Sequence, residues 1–167
     1  MLARILLSIL GLGLIGPSSS QVTDCAPGAT TFTINSQGFS PFPPVAGENT
    51  TLWIDYTVPA GVTVDAGLAR YTFTLNGIPF SPSEDDLCTQ ITCPQVPGTF
   101  NLSSSSLWPT GISGKITSKI QWFDSDNNQL LCSQLTVRSA VGEEKKEKKA
   151  LMVVVVVKKY LRGIKQG

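Results

Sequence analysis

Apolar and polar side chains alternate over several short stretches of this chain, with the two-residue period of a β-strand that is buried on one face. From Leu52 to Val58 the even-numbered residues are all apolar or aromatic, and from Ala69 to Leu75 the odd-numbered residues are. A third stretch, from Lys115 to Trp122, follows the same rule with Ser118 as its polar exception. Asn76-Gly77 follows the second stretch and favours a two-residue hairpin turn, because both residue types tolerate positive φ. We therefore predict three long strands, each with one face toward a core.

Shorter apolar runs indicate further strands, and Gly, Pro, Asn or Asp residues separate the runs about every ten positions. These further strands are predicted near Thr30 to Ile34, Ile78 to Phe80, Thr99 to Ser103 and Leu130 to Val137. Between them the chain shows hardly any helical period. About seven short strands at this spacing predict an all-β fold, an immunoglobulin-like sandwich of two antiparallel sheets.

Composition argues against catalysis. The chain has 167 residues, of which 41% are hydrophobic and 15% charged, and it contains no histidine. Without histidine, the Ser/His/Asp and Cys/His arrangements and an imidazole zinc site are excluded, and the serines from Ser103 to Ser106 have no base to activate them. The acidic run Glu84-Asp85-Asp86 lacks the ligand spacing of a calcium loop and predicts a solvated loop. We expect no enzyme, no cofactor and no metal site.

The two ends of the chain differ from the middle. Arg4, an apolar run from Ile5 to Ile15 and the small residues Ser18 to Ser20 are typical of a secretory signal peptide over residues 1–20. A membrane anchor is the alternative, but this apolar run is shorter than the roughly 20 residues that cross a bilayer. A signal peptide predicts a secreted protein or one in the endolysosomal or vacuolar lumen.

Charge divides the rest of the chain into an acidic domain over residues 21–140 and a basic tail over 141–167. The first has four basic and nine acidic side chains, and the second has eight basic and three acidic ones. An acidic domain disfavours nucleic-acid binding. The tail is interpreted as a flexible charged extension, as a segment that docks on anionic membrane, or as a wrongly assigned final exon.

Four cysteines, Cys25, Cys88, Cys93 and Cys132, can form two disulfides in three ways in an oxidising lumen. The short spacing from Cys88 to Cys93 indicates a structural loop closure rather than a zinc or redox motif. Asn49 and Asn101 each begin a glycosylation sequon, a weak signal that fits the same secretory route.

The segment from Asp86 to Gly98 resembles the DLC…CP…G stretch of the ML family, the MD-2-related lipid-recognition domains. The resemblance covers about residues 24 to 138. Three further features agree with it: Asp24-Cys25 after the signal peptide, Ser40 to Pro44 with Gly47 as in the SPxPPxxG segment of the phosphatidylglycerol/phosphatidylinositol transfer branch, and Trp122, Asp124 to Asp126 and Cys132 as in the closing hairpin.

The resemblance implies that Cys25 pairs with Cys132 and Cys88 with Cys93. It implies an apolar cavity between the sheets that carries one phospholipid or sterol between donor and acceptor membranes. The sterol-binding Niemann-Pick type C2 branch has an additional cysteine pair where this chain has Ser40 to Pro44, and this difference favours a phospholipid such as phosphatidylglycerol or phosphatidylinositol. We expect the carrier to be a monomer.

Inward-facing aromatic and branched side chains are the candidates for lining the cavity. They are Tyr56, Tyr71, Phe73, Phe80, Phe100, Ile116, Ile120 and Trp122, with Ile91 near the mouth on the disulfide loop. The hydroxyls of Tyr56 and Tyr71 could face a headgroup. Periodicity does not distinguish a lined cavity from an ordinary core. Two rival functions therefore stay open: a module that presents lipid to a receptor without transferring it, and an adhesion-type sandwich with a solid core.

Overall fold

The computed structural model describes residues 22–139, so the predicted signal peptide and the predicted tail lie outside the described residues. The described chain forms nine β-strands and one turn of 3₁₀-helix at Leu87–Thr89. The strands are β1 (Val22–Asp24), β2 (Thr33–Ser40), β3 (Asn49–Val58), β4 (Gly67–Leu75), β5 (Ile78–Pro79), β6 (Ser83–Asp86), β7 (Gly98–Leu107), β8 (Gly114–Asp124) and β9 (Gln129–Ser139).

The strands build two antiparallel sheets. In sheet A the order is β1-β9-β8-β4-β5, with β6 also paired to β4, and in sheet B the order is β2-β3-β7. The backbones of the two sheets approach each other most closely along β1, β2 and β9. The free lateral edges, β7 in sheet B and β5 with β6 in sheet A, therefore lie on the opposite side of the sandwich. This architecture confirms the all-β, two-sheet prediction.

The alternation seen in the sequence corresponds to the burial of the strands. In β3 the even-numbered residues Leu52 to Val58 are buried, and in β4 Ala69, Tyr71 and Phe73 are buried. β8 buries Ile116, Ile120 and Trp122 in the same way. The buried side chains of both sheets form one continuous hydrophobic cluster between the sheets. Burial of this apolar area is the main stabilising contribution to such a fold.

Some predicted boundaries were wrong. The strand predicted at Thr30 to Ile34 begins at Thr33, and the predicted solvated loop at Glu84-Asp85-Asp86 is part of strand β6. In β6 Glu84 lies opposite Arg70 of β4, and its Oε1 accepts a hydrogen bond of 2.8 Å from the Arg70 Nε. Pairing with β4 satisfies the backbone of this acidic run, which has no apolar alternation of its own.

The two ends of the sandwich differ. We call the end with loop 41–48, the turn Asn76-Gly77 and segment 108–113 the distal end, since β2, β4 and β7 end there. The other end, with loop 59–66 and the loop closed by the Cys88–Cys93 disulfide, is the proximal end. Among residues 22–139, no helix is long and apolar enough to cross a membrane.

The hairpin turn predicted at Asn76-Gly77 connects β4 to β5. Both residues have positive φ, 53° for Asn76 and 82° for Gly77. The Asn76 Oδ1 accepts a hydrogen bond of 2.8 Å from the backbone N–H of Lys115, and this bond ties the turn to the start of β8. Because this contact and the backbone bond from Asn76 to the Lys115 carbonyl fix the turn, the distal end of sheet A is well defined.

Two disulfides hold the sandwich. Cys25 after β1 is bonded to Cys132 in β9 across 107 positions of sequence, and Cys88 is bonded to Cys93 across 5 positions. These are the two pairs that the resemblance implies. The first closes a long loop that contains most of the domain, whereas the second closes only the loop that follows β6.

The turn between β8 and β9 is organised by Asp124. Its Oδ1 accepts hydrogen bonds from the backbone N–H groups of Asp126 and Asn128, at 2.9 and 2.8 Å, and its Oδ2 accepts one of 2.9 Å from the Asn128 side chain. Burial acts to raise the pKa of the Asp124 carboxyl, but these hydrogen bonds outweigh it and hold the pKa below the ordinary value of 3.8.

We expect Asp124→Ala to lower the melting temperature by roughly 2 to 5 °C at neutral pH. This shift corresponds to a loss of about 1 kcal/mol of folding stability in a domain of this size. A depressed folded-state pKa stabilises the protein above pH 3.8, and this stabilisation is lost as the pH falls through the lower folded value. The difference between variant and parent should therefore shrink below pH 3.8 in a series of thermal melts. Asp126→Ala is the control, since Asp126 contributes its backbone N–H to the turn. A difference that stays constant with pH would contradict the assignment.

Candidate functional site

Four aromatic rings close the proximal end of the space between the sheets, and Tyr56 is their centre. Its ring stacks on Phe32 and on Phe100 with centroid distances of 5.5 and 5.6 Å, and it meets Trp122 edge-on at 5.4 Å. Tyr56 belongs to sheet B and Trp122 to sheet A, so this contact joins the two sheets directly. Ring pairs at such distances are favourable beyond the burial of their area.

The Tyr56 hydroxyl has a partner within the protein. It donates a hydrogen bond of 3.4 Å to the Oε1 of Gln95, which is itself buried. Gln95 is held by backbone hydrogen bonds of 2.8 and 2.9 Å with Val64, so the segment that follows the disulfide loop is tied to loop 59–66. Burial raises the pKa of Tyr56 well above its ordinary value of 10.0, and the phenol stays neutral. The hydroxyl is thus engaged with the protein itself.

The distal half of the interior contains other aromatic pairs. Phe73 of β4 packs on Phe80 with a centroid distance of 5.2 Å, and Phe39 of β2 meets Trp108 edge-on at 5.7 Å. Each of these two pairs stays within one side of the sandwich, since Phe80 follows the β5 edge of sheet A and Trp108 follows β7 of sheet B. Ring contacts between the sheets are therefore found at the proximal end.

All nine residues proposed from the sequence lie in or against the hydrophobic cluster. Seven are buried, and Phe80 and Phe100 are partly buried against the cluster. The structure brings Tyr56, Phe100 and Trp122 together at the proximal end and pairs Phe73 with Phe80 in the distal half. Tyr71 and Ile120 face each other across β4 and β8 between these groups. Ile91 belongs to the disulfide loop and is buried at the proximal end.

The polarity of the inner face of sheet B changes along the strands. In β7 the inward positions are Phe100 and Leu102 toward the proximal end, and Ser104 and Ser106 toward the distal end. In β3, Thr50 takes the corresponding distal position and is fully buried. Its Oγ1 donates a hydrogen bond of 3.2 Å to the backbone carbonyl of Ser106. The interior wall of this sheet is thus apolar at one end and hydroxyl-rich at the other.

Two buried polar groups near this hydroxyl-rich wall have no hydrogen-bond partner among residues 22–139. They are the Ser106 Oγ and the Trp108 Nε1. A buried polar group without a partner costs about 1 to 3 kcal/mol. The indole N–H can only donate and the hydroxyl can do both, so the pair suits a ligand that carries oxygen acceptors. At the proximal end, the Trp122 Nε1, the Gln90 Oε1 and the Gln129 Nε2 are likewise buried without a partner among residues 22–139.

The sequence patterns did not reveal several side chains of the interior. Phe32, Phe39, Leu87, Trp108 and Ile112 are buried in the cluster, and all five lie outside the three alternating runs. Phe39 lies in β2, where a register irregularity between Ile34 and Ser36 interrupts the alternation. Leu87 lies in the DLC motif, so the motif, rather than periodicity, was the available signal for it.

The remaining sequence candidates lie on the surface. Asn49 is exposed at the start of β3, and Asn101 is exposed on the outer face of β7, where its side chain donates a hydrogen bond to Asp55. Hydrogen bonds from Ser36 and then Asn101 lower the pKa of Asp55. A surface pocket of ≈ 370 Å³ is lined by Asp85, Asp86, Thr89 and Gln90, and no group of three potential metal ligands occurs among the described residues.

These features define the class of protein: a two-sheet β-sandwich closed by two disulfides, with an aromatic proximal end and hydroxyls along one wall of its distal interior. A model of the ML domain family matches residues 19–139, and the chain belongs to this family.

A solved structure shares this fold at low sequence identity. A Niemann-Pick type C2 protein from Japanese carpenter ant matches with a TM-score of 0.54 and 11% identity, covering 70% of this chain and 96% of that one. Chicken MD-1 complexed with lipid IVa matches with a TM-score of 0.43 and 12% identity, covering 66% of this chain and 88% of that one. No curated protein sequence is significantly similar to the chain.

Proposed function

We propose that this protein binds one lipid between its two sheets and carries it between membranes. The observation that carries the proposal is the match to the ML domain family over residues 19–139, in a sandwich whose inward stripes are aromatic and branched. A lipid moved through water exposes its tails, and each exposed methylene costs about 0.8 kcal/mol. An apolar interior that accepts about ten methylenes offsets roughly 8 kcal/mol of this cost.

The proposed cargo is a phospholipid rather than a sterol, and its headgroup lies at the distal end. The support is the hydroxyl-rich inner wall at this end, beside which the Ser106 Oγ and the Trp108 Nε1 have no partner among the described residues. Phosphate and ester oxygens of a phospholipid supply several acceptors for them, whereas a sterol supplies one hydroxyl. The tails would extend toward Phe73 and Ile120, and the aromatic cluster around Tyr56 would close the far end of the site.

Mass spectrometry of lipid extracted from protein purified without detergent tests the cargo. We expect one phospholipid per chain, with phosphatidylglycerol or phosphatidylinositol enriched over the membranes of the source cells. A sterol in its place would contradict the choice of cargo and favour the function of the sterol carriers. A protein that never contains lipid, even after incubation with vesicles, would contradict lipid binding and favour a solid-core sandwich.

Enlarging an inward side chain should block the site. We expect Phe73→Trp and Ile120→Trp each to abolish transfer of a fluorescent phospholipid between vesicles, because the added ring occupies the space of the tails. Far-ultraviolet circular dichroism should stay unchanged. The matched controls are Thr72→Trp and Gln121→Trp, which add the same ring one position along, on the outer face of β4 and β8.

Transfer at the parental rate in both inward variants would show that Phe73 and Ile120 do not line the lipid site. If all four tryptophan variants lost transfer equally, the effect would be on stability rather than on the interior. Parental lipid content without any transfer in the unmodified protein would instead favour a module that presents its lipid to a receptor.

A further inference from the structure

Large apolar side chains are exposed at the distal end of the sandwich. Ile78 of β5 is 67% exposed, Leu107 at the end of β7 is 60% exposed, and Val45 in loop 41–48 is 48% exposed. The fourth exposed large hydrophobic residue of the described chain, Val96, is 47% exposed and lies in the segment between the disulfide loop and β7, at the proximal end. Three of these four side chains therefore surround one end of the domain.

Hydrogen bonds hold these side chains in place. The N–H of Gly47 donates to the Trp108 carbonyl and the N–H of Trp108 donates to the Glu48 carbonyl, both at 2.8 Å, so loop 41–48 is pinned to the end of β7. On the other sheet, the N–H of Phe80 donates to the Phe73 carbonyl at 2.9 Å and fixes the segment after Ile78. Since their backbones are held by neighbouring strands, the apolar side chains remain presented to the outside.

Charge is distributed unevenly between the two ends. Lys115 and Arg138 are exposed and lie directly opposite each other on β8 and β9, on the outer face of sheet A at its distal end. Lys119 continues this line on β8. The fourth basic residue between positions 22 and 139, Arg70, is paired with Glu84. The distal end thus has a cationic flank.

Carboxylates are concentrated away from this flank. Asp65, Asp86, Asp124 and Asp126 lie at the proximal end, and Glu48 is the one acidic residue of the distal loops among the described residues. A domain with this distribution is attracted to a negatively charged surface by its distal end and repelled by its proximal end. The attraction fixes an orientation as well as a binding strength.

We propose that the distal end is the surface by which the protein docks on an anionic lipid bilayer. Ile78, Leu107 and Val45 enter the headgroup region, and Lys115 and Arg138 contact lipid phosphates beside them. The charge complementarity and the apolar residues on three separate segments fit an interfacial contact with lipid. The inference rests on the proposed function, because docking at this end would bring Ser106 and Trp108 next to the membrane that supplies or receives the cargo.

Vesicle flotation of the full chain tests the surface, with phosphatidylcholine vesicles that contain or lack phosphatidylglycerol. We expect Val45→Asp, Leu107→Asp and Ile78→Asp each to weaken binding to the anionic vesicles by about tenfold. Each substitution replaces an apolar side chain that enters the headgroup region by a charged one. The double variant Lys115→Gln/Arg138→Gln should weaken it by about twentyfold to thirtyfold and leave the weak binding to neutral vesicles unchanged.

Val96→Asp is the matched control for Val45→Asp, since the two valines are exposed to 47% and 48% and lie at opposite ends. It should bind vesicles like the parent. The basic residues after position 139 are the same in every variant, so their contribution cancels in the comparison. Melting temperatures within a few degrees of the parent would show that each variant is folded.

The proposal would be overturned if Val96→Asp lost as much binding as the distal variants, if the distal variants bound like the parent, or if the parent did not bind anionic vesicles. The last result would favour a protein partner at this end. The lipid content of each variant, measured separately by extraction, distinguishes a failure of the docking surface from a failure of the carrier function. If the distal variants contain the normal amount of lipid and bind vesicles like the parent, the docking surface is contradicted. If the protein contains no lipid but still docks through the distal end, the carrier function is contradicted.

Discussion

Replacing Cys25 and Cys132 together by alanine should lower the free energy of unfolding by about 4 to 5 kcal/mol. The disulfide spans 107 positions, and in the chain-entropy description a long closed loop restricts the unfolded chain the most. It also ties the segment after β1 to β9, next to the backbone hydrogen bond of 3.1 Å from the Cys25 N–H to the Cys132 carbonyl. Denaturant unfolding monitored by tryptophan fluorescence measures the loss.

The second disulfide provides an internal control. Cys88→Ala/Cys93→Ala opens a loop of only 5 positions, for which the same relation gives about 2 kcal/mol. The long closure should thus cost about twice as much as the short one. Equal losses, or a larger loss for the short loop, would show that the packing of the buried Leu87 and Ile91 at this loop, rather than chain entropy, determines the contribution of these bonds.

Tyr56→Ala should destabilise the domain by about 3 to 5 kcal/mol, because it removes a fully buried ring and leaves a cavity. The ring contacts Phe32, Phe100 and Trp122, so its loss separates the two sheets at the proximal end. We expect a lower denaturant midpoint and changed near-ultraviolet circular dichroism from Trp122.

Two substitutions isolate the contribution of this ring. Tyr56→Phe keeps the ring and loses the hydrogen bond to Gln95, for which we expect a cost of about 1 kcal/mol. Thr57→Ala changes the next residue, on the outer face of β3, and should cost less than about 1 kcal/mol. If Tyr56→Phe were as destabilising as Tyr56→Ala, the hydroxyl and not the ring would be responsible for joining the sheets.

Local patterns predicted β3, β4 and β8 well and placed the short strand β5, but they did not reveal β1 and β6. β3, β4 and β8 were evident because one face of each is buried and the other is not, which produces a period of two. β1 and β6 have three and four residues, too few to show a period, and they exist because the edges of β9 and β4 are available for pairing. Their formation is therefore a property of the sheet rather than of their own residues.

The candidate site was predicted residue by residue but not as an arrangement. The inward positions followed from periodicity, whereas the division into a proximal group around Tyr56 and a distal pair of Phe73 and Phe80 did not. The hydroxyl-rich wall was visible as a serine run, but only the register of β7 against β3 places Ser104 opposite Leu52 and Ser106 opposite Thr50. Register depends on how the strands pair, and pairing is not local.

The sequence by itself determined the all-β class and the inward stripes, and its short motifs carried the resemblance to the ML family, which implied the two disulfides. Side-chain alternation and short motifs are encoded locally, since they can be read from neighbouring residues. The tertiary structure alone decided which end carries Ile78, Leu107 and Val45, and that Lys115 lies beside Arg138. Such neighbours come from distant parts of the chain and meet only when the sheets assemble, because strand order and packing depend on the whole set of contacts.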